Sequence, residues 1–451
     1  MCARWESRFL DVNIFLEAQC TVRSAQLLAL TVVIASAAPS ASPAQERYSA
    51  DAYPFRAADD TASARMTRLR VDVAMIGASA IEEFWKERDD SGAPIVESTR
   101  ADAGHSLVTF VWRGSPEARN VVITDGVSVG VGGADPLNSR MTHIDGTDVW
   151  YRSYVVRNDG RFTYALSEND PMALFSDPER KSTSTADPLN PRRLPIIGQT
   201  YVELPDARTR SWTVPLAPED AGDVMRLELN GRTLRVYTPA GFQRSGEAYP
   251  LVVTMAGGFY ADMVDVKPTL DHLIAEARIP PVVAIVVSGT AEELQCSPEY
   301  ARFLAEELVP WATATYHATR KPEQTVIAGS SLGGLASACA AVSHPDVFGK
   351  VLSQSGSFWW KGVFRSREQG DDLSDAEWLT RRIRAIDRVP VDFYLEVGLM
   401  EFEGQLGTNR RLRDALVEKG YEVDYREFNG NHSYVNWRES FGEALVVLLG
   451  E

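Results

Sequence analysis

The feature that most constrains the fold is a serine between glycines, at the junction of a predicted strand and a predicted helix. Gly329-Ser330-Ser331-Leu332-Gly333 follows the apolar residues 325–328 and precedes the apolar stretch 335–342. A Gly-x-Ser-x-Gly pattern in this context is typical of a sharp elbow that exposes a nucleophilic serine at the edge of a parallel sheet. The register of the pattern selects Ser331 over Ser330.

Apolar runs separated by helical stretches predict a mostly parallel sheet in the C-terminal half of the chain. The runs are residues 251–255, 281–287, 325–328 and 391–395. Continuous apolar strands that alternate with helices are covered on both faces. Together with the elbow they predict an α/β-hydrolase catalytic domain over residues 223–451, which opens with a hairpin at Asn230-Gly231.

The preceding part of the chain has the pattern of an all-β domain. Residues 105–112 alternate apolar and polar side chains, and the Asp125-Gly126 pair favours a tight turn. Short strands at this spacing predict a β-sandwich over residues 75–200. Residues 176–220 are rich in Ser, Thr, Asp and Pro, so we expect surface structure there and place a linker at 201–222.

The N-terminus has the features of an export signal. Arg23 precedes the apolar run 27–35, which is too short to span a bilayer and is followed by small residues. We expect a signal peptide region over residues 1–44, with cleavage after Ala37 or Ala44 and a true start of translation at Val22. The protein is then periplasmic or secreted and not stably inserted in a membrane; a buried or interfacial N-terminal helix is the alternative.

The net charge and the cysteine content limit the classes of partner and cofactor that we expect. The net charge of −16 disfavours nucleic acid, because phosphate binding requires clustered cations. Cys296 and Cys339 remain after export and could form one bridge, but the apolar helical surroundings of Cys339 favour a buried free thiol. The spacing of Cys and His gives no structural zinc site, so we expect no metal, no cofactor and a small-molecule ester as the partner.

A serine nucleophile needs a general base, and the fold places its catalytic residues in the order serine, acid, histidine. His432 lies in a loop after the strand-like residues 422–428, which is the expected position of the base. Glu401 lies three residues beyond Gly398, after the preceding strand, and is the predicted acid. The rival carboxylates are Glu396, Asp414 and Asp424.

An oxyanion hole needs backbone N–H donors near the nucleophile. One donor should be Leu332, directly after Ser331. The other should come from the loop after residues 251–255, where we choose Gly258 and keep Gly257 as the alternative.

Several segments together resemble the enterochelin (ferric enterobactin) esterases, over about residues 80 to 440. The most recognisable is Val351-Leu-Ser-Gln-Ser-Gly-Ser-Phe-Trp-Trp360 after the elbow helix. Further supporting segments are Phe84-Trp85, Gly146-Thr-Asp-Val-Trp150, Asp187-Pro-Leu-Asn-Pro191, Glu306-Glu-Leu-Val-Pro310, Gly398-Leu-Met-Glu401 and Gly430-Asn-His432-Ser433.

The resemblance implies an N-terminal immunoglobulin-like sandwich that caps the catalytic domain. It also implies hydrolysis of the trilactone of 2,3-dihydroxybenzoylserine, which lets iron leave the siderophore. By this likeness Ser331, Glu401 and His432 are the nucleophile, the acid and the base.

At two positions where the family pattern carries a charged residue, this chain has an uncharged one or lacks the expected cation. The family carries an Arg shortly before the Glu-Leu that precedes Cys296, but Gly289-Thr-Ala-Glu292 stands here, and a family glutamate near the oxyanion loop is replaced by Gly258. A ferric tris-catecholate is a trianion and needs cations. Lys361, Arg365 and Arg367 are candidates for that role, with a solvated loop as the alternative.

The indoles of Trp359 and Trp360 are expected either to stack on the substrate or to pack in the core. Two other functions stay open. One is an exported esterase for another aromatic ester or an acetylated carbohydrate, such as a feruloyl or acetyl ester. The other is a non-catalytic binding protein that retains the fold.

Overall fold

The computed structural model describes residues 55–99, 102–126, 135–174, 177, 180–181, 183–208, 210–255, 263–361 and 376–450. The predicted signal region, residues 1–44, lies outside them. Within these ranges no helix is both long and apolar enough to cross a bilayer.

The described N-terminal half consists of two helices and a set of mostly short strands. The helices are α1 (Ala64–Ile76) and α2 (Ala78–Ser91). The strands are β1 (Phe55–Ala57), β2 (Ile95–Ser98), β3 (His105–Arg113), β4 (Val121–Ile123), β5 (Thr142–His143), β6 (Val149–Arg157), β7 (Arg161–Tyr164), β8 (Leu166–Glu168), β9 (Ser184–Thr185) and β10 (Thr200–Glu203).

These strands form one larger sheet and two small ones. β1, β6, β3 and β2 pair in that order, with β5 beside β6, while β4-β8-β9 and β10-β7 pair separately. On one face of the large sheet, Val111 and Tyr151 pack with Phe84 of α2. On the other face, Phe110 packs with Tyr164 of the small sheet. The predicted all-β composition is therefore incomplete, because helices cover one face of the main sheet.

The C-terminal half alternates strands with helices. Its strands are β11 (Asp223–Leu229), β12 (Arg232–Thr238), β13 (Leu251–Met255), β14 (Val283–Val287), β15 (Thr325–Ser330), β16 (Lys350–Gln354), β17 (Asp392–Gly398) and β18 (Val423–Phe428). Its helices are α3 (Val266–Ala275), α4 (Pro298–Arg302), α5 (Val309–Tyr316), α6 (Leu332–Ser343), α7 (Trp378–Ala385), α8 (Glu403–Glu418) and α9 (Tyr434–Leu449), with a π-helical turn between α4 and α5.

All eight strands join in one sheet, in the order β11-β12-β14-β13-β15-β16-β17-β18. Pairing is parallel from β14 to β18, whereas β11 and β12 form an antiparallel hairpin at the edge. Asn230 (φ 51°) and Gly231 (φ 78°) take the left-handed conformation that a two-residue Asn-Gly turn requires. Apolar cores lie on both faces. The predicted mostly parallel sheet with helices on both faces is confirmed.

The segment expected to run over the surface is partly buried. β9 and β10 lie within residues 176–220, and the predicted linker at 201–222 begins inside β10. Asp187 is fully buried and accepts a hydrogen bond from the hydroxyl of Tyr164 at 2.6 Å. Trp212 packs into the core of the large C-terminal sheet. The polar composition misled here because these side chains satisfy their hydrogen bonds inside the protein.

A disulfide bond joins Cys296 to Cys339, with 5.5 Å between their Cα atoms. The prediction of a free thiol at Cys339 is wrong, because this face of α6 packs against the loop that carries Cys296. The bridge spans a sequence separation of 43 residues. Closing a loop of that length stabilises a protein by about 4 kcal/mol in the chain-entropy description.

Candidate active site

The elbow at Ser331 has the backbone geometry that the sequence predicts. β15 passes into α6 through this residue, whose φ is 55° and ψ is −123°. A Cβ on Gly333 would lie 2.5 Å from the carbonyl oxygen of Met255, and one on Gly329 would lie 2.5 Å from the carbonyl carbon of Gly333. Both positions therefore require glycine. The strained conformation of Ser331 is held by its N–H, which donates to the carbonyl of Gln354 at 2.9 Å.

Ser331 opens into a pocket of about 360 Å³. The described residues that line it are Ile197, Gln199, Leu294, Ser330, Ser331, Leu332, Gly333, His432, Ser433, Tyr434 and Trp437. The predicted nucleophile and the predicted base thus share one cavity, although 101 residues separate them in the chain. The Oγ of Ser331 also lies 3.3 Å from the Oγ of Ser357.

His432 and Glu401 are joined by a hydrogen bond. The Nδ1 atom of His432 lies 2.6 Å from Oε2 of Glu401. The other carboxylate oxygen accepts from the N–H of Gly398 at 2.8 Å and from the hydroxyl of Ser355 at 2.5 Å. Because Nδ1 faces the carboxylate, it carries the proton, and Nε2 is left to exchange a proton with a substrate or with Ser331.

Trp437 supports this pair from α9. Its indole N–H donates to Ser355 at 3.1 Å, and its ring meets the imidazole of His432 edge to face at 4.8 Å between centroids. The Glu401 side chain is completely buried, while that of His432 is 36% exposed. The acid is therefore shielded from water, and the base reaches the pocket.

The rival carboxylates take other positions. Glu396 is buried within β17, where it accepts hydrogen bonds from the side chains of Gln354 and Ser440 and from no histidine among the described contacts. Burial raises the pKa of Glu396 to about 7. Asp414 and Asp424 form ion pairs with Arg413 and Arg426, respectively.

The predicted oxyanion donors are only partly described. Leu332 lines the pocket and is the first residue of α6, so its N–H belongs to the unsatisfied amides of a helix N-terminus. Those amides attract negative charge. Gly258 and its alternative Gly257 lie outside the described residues, directly after the segment that ends β13 at Met255.

Two family models together match most of the chain. The model described as putative esterase matches residues 229–448, and the model described as the N-terminal part of enterochelin esterase matches residues 107–213. Together the two matches support membership of the enterochelin esterase family. The protein is accordingly a carboxylic ester hydrolase.

Members of the enterochelin esterase family are similar to this chain over nearly their whole lengths. Iron(III) enterobactin esterase from Dickeya dadantii (strain 3937) is 26% identical over 407 residues, which are 82% of this chain and 93% of that protein. Ferric enterobactin esterase from Salmonella typhimurium matches with a TM-score of 0.64 and 26% identity, covering 81% of this chain and 98% of that one. Enterobactin esterase from Shigella flexneri, in a crystal structure in the presence of enterobactin, matches with a TM-score of 0.63 and 26% identity over 81% and 97%.

The residues that the family resemblance suggested for substrate binding are not part of the described pocket wall. The indole N–H of Trp359 donates to Gln405 at 2.7 Å, and that of Trp360 donates to Gln295 at 2.9 Å. Lys361 is exposed and its Nζ atom lies 4.9 Å from the ring centroid of Trp360. Arg365 lies outside the described residues, so substrate binding by these side chains stays a prediction.

The structure adds residues to the site that motif reasoning missed. Ile197 and Gln199 of the enterochelin esterase N-terminal region line the pocket beside His432. Both belong to the segment expected to run over the surface, and no motif marks them. Ser355 is different, because it falls inside the recognisable stretch 351–360 and its small polar side chain directly follows a strand.

Proposed function

We propose that the protein is a serine esterase that cleaves the ester bonds of a catecholate siderophore, an enterobactin-like trilactone, so that iron is released. The observation that carries this proposal is the hydrogen bond between His432 and Glu401 in the pocket of Ser331. Its support is the similarity of the chain to iron(III) enterobactin esterases over most of its length.

Acylation begins with attack of the Ser331 hydroxyl on the ester carbonyl carbon. His432 takes the hydroxyl proton through Nε2, and Glu401 stabilises the imidazolium. The oxyanion of the tetrahedral intermediate accepts a hydrogen bond from the N–H of Leu332. The intermediate collapses when the alkoxide of the adjoining serine unit leaves and receives the proton from His432.

Deacylation repeats these steps with water as the nucleophile. His432 takes a proton from water while the water oxygen attacks the acyl carbon attached to Ser331. The Ser331 oxygen then leaves and regains its proton, and the product is a carboxylic acid. No step needs a metal ion, because the serine and the histidine supply the nucleophile and the base.

The described pocket wall can contact the dihydroxybenzoyl ring through apolar and aromatic side chains, but it has no cation to neutralise the negative charge of a ferric complex. Leu294, Tyr434 and Trp437 give it apolar and aromatic surface, and none of its described residues is Lys or Arg. Arg232 of β12 forms an ion pair with Glu293, the residue directly before Leu294 of the pocket wall. The proposal therefore includes Lys361 and Arg365 as the cations that meet a ferric catecholate.

The N-terminal strands are proposed to be the immunoglobulin-like cap of this family. Their support is the packing of two small sheets against one face of the large sheet. Ile197 and Gln199 would then be the part of the cap that faces the substrate.

We expect purified protein to convert enterobactin into its linear and monomeric dihydroxybenzoylserine products. The value of kcat/KM should be at least about 10⁴ M⁻¹s⁻¹, the lower end of the ordinary range for natural substrates. Chromatography of the products from ferric and iron-free enterobactin measures this, with Ser331→Ala as the blank. A feruloyl ester and an acetylated sugar are assayed in parallel.

The parallel assay decides between the proposal and its alternative. An esterase for neutral aromatic or acetylated carbohydrate esters is favoured by the absence of cations from the described pocket wall. If the feruloyl or acetyl ester is cleaved with much higher kcat/KM than either form of enterobactin, the siderophore assignment is wrong and the alternative takes its place.

We further propose that the protein acts in the periplasm or as a secreted enzyme. The apolar run 27–35 and the bridge between Cys296 and Cys339 support this, because disulfides persist in oxidising compartments. Protein recovered from the periplasm or the medium should begin at Ala38 or Gln45 and contain no titratable thiol. N-terminal sequencing and thiol titration under denaturing conditions test this. Uncleaved protein in the cytoplasm, with free thiols at Cys296 and Cys339, would contradict the proposal.

A further inference from the structure

The loop that carries His432 is held by the N-terminal half of the chain. The N–H of Arg161 donates to the carbonyl of Asn429 at 3.2 Å, and the side-chain amide of Asn429 donates to Asp159 at 2.7 Å. A Cβ on Gly160 would lie 2.5 Å from the Asn429 side chain. The turn between β6 and β7 therefore packs directly on the loop that leads to the base.

Asn431, the residue directly before His432, has both ends of its side chain bound to the N-terminal half. Its Oδ1 accepts from the N–H of Thr163 at 3.1 Å. Its Nδ2 donates to the hydroxyl of Thr163 at 2.8 Å and to the carboxylate of Asp125 at 3.1 Å. Asn431 and Thr163 are both buried. The orientation of this amide is thereby determined by residues of another part of the chain.

Asp125 is the centre of this contact. At least four groups donate to its carboxylate, namely the N–H of Gly126 at 2.7 Å, the hydroxyl of Thr163 at 2.8 Å, the amide of Gln199 at 2.8 Å and the amide of Asn431 at 3.1 Å. Burial raises the pKa of Asp125, and hydrogen bonds from Thr163, Gly126 and Asn431 oppose that shift. Four donors around one side chain suit a carboxylate and no neutral side chain of the same size.

Two further contacts connect this centre with the pocket. Gln199, which donates to Asp125, lines the pocket beside His432. Met400, the neighbour of Glu401, packs within the apolar core of the N-terminal sheets, and its N–H donates to the carbonyl of Gly430 at 2.9 Å. The loops of the acid and of the base thus rest on the same N-terminal surface.

We propose that Asp125 is a positioning residue that acts through Asn431 to set the orientation of His432 toward Ser331, and through Gln199 to set one wall of the pocket. The inference rests on the proposed role of His432 as the base. It assigns a catalytic contribution to the N-terminal half that is separate from any role in covering the substrate.

The test uses the full-length protein with a small neutral ester, p-nitrophenyl acetate, and a fluorophosphonate that acylates an activated serine. Asp125→Asn keeps the size of the side chain but turns an NH₂ group toward at least one donor. We expect kcat to fall by about 10- to 100-fold, because misplacing a catalytic group by about 1 Å has effects of this size. The KM for p-nitrophenyl acetate should change by less than about threefold, since the variant keeps the contacts that bind the substrate and the transition state equally well.

Three variants make the result specific. Asp159→Asn is the matched control, because it makes the same change at the other end of the contact, where Asp159 accepts from Asn429 rather than from Asn431. It should keep kcat within about twofold. Thr163→Val removes the hydroxyl that joins Asp125 to Asn431 and should lower kcat, whereas Thr163→Ser should restore it.

The rate of fluorophosphonate labelling should follow kcat in this series, while the thermal midpoint should not. Equal losses in Asp125→Asn and Asp159→Asn, or losses that follow the thermal midpoint, would overturn the positioning role, as would Thr163→Ser resembling Thr163→Val. Wild-type protein that neither reacts with the probe nor cleaves the ester would instead overturn the proposed function and, with it, this inference.

Discussion

Ser331→Ala is expected to reduce kcat for ester hydrolysis by about 10⁴-fold or more, because only binding and oxyanion stabilisation remain without the nucleophile. Folding should be unaffected, since alanine differs by one atom and the Oγ contact that is lost, with Ser357, is long at 3.3 Å. Steady-state kinetics on p-nitrophenyl butyrate measure the loss, and circular dichroism during heating checks the fold.

Ser330 provides the control for the register of the motif. It also lines the pocket, so Ser330→Ala distinguishes a nucleophile from a hydroxyl that is merely nearby. We expect this variant to keep most of the activity. Retention of near wild-type activity in Ser331→Ala, or a comparable loss in Ser330→Ala, would overturn the assignment of the nucleophile.

Glu401→Gln should lower kcat by about 10³- to 10⁴-fold while the protein stays folded. In the wild type, Oε1 of Glu401 accepts hydrogen bonds from Gly398 and Ser355. The amide oxygen of the glutamine will therefore take the position of Oε1, because the NH₂ group cannot accept these bonds. The NH₂ group then faces Nδ1 of His432, which must become an acceptor and shift its proton to Nε2. A histidine in that tautomer cannot take the proton of Ser331.

Glu396→Gln is the matched control for this change. Glu396 is equally buried, lies in β17 shortly before the loop that carries Glu401, and has Gln354 and Ser440 as partners instead of a histidine. We expect kcat to remain within about fivefold of wild type, because the reacting groups are not touched. A loss in Glu396→Gln as large as that in Glu401→Gln would contradict the choice of acid.

Local patterns predicted the elbow and the sheet because their causes are local. The glycines at 329 and 333 are required by contacts within a few residues of Ser331 or with the adjoining strand. The acid was harder to choose, since many carboxylates follow Ser331 in the right order and Glu396, Asp414 and Asp424 were rivals of Glu401. The pairing of Gly398 with Phe428 decides it, because it brings the loops after β17 and β18 together, whereas Glu396 and Asp424 lie within those strands.

The contribution of the N-terminal half to the active site could not be predicted from the sequence, because it depends on contacts between residues that are far apart in the chain. Asp125 and Asn431 are 306 positions apart, and neither the Asp125-Gly126 pair nor the segment 430–433 indicates that these two side chains meet. The polar composition around Gln199 predicts exposure to solvent and does not reveal that its side chain donates to Asp125 and lines the pocket. The pairing of Cys296 with Cys339 likewise depends on how α6 packs, which the apolar character of that helix does not reveal.

Thr163 and Asn431, whose side chains are hydrogen-bonded in the folded protein, are far apart in the chain and are therefore synthesised at different times. Thr163 is made 268 residues before Asn431, and a chain grows at about 5–20 residues per second. Synthesis therefore reaches Asn431 roughly 15–50 seconds after Thr163. His432 follows Asn431 directly, so any product that ends before residue 431 lacks both the base and the side chain that supports it. Hydrolytic activity therefore cannot appear until synthesis has passed His432, long after the N-terminal half has been made.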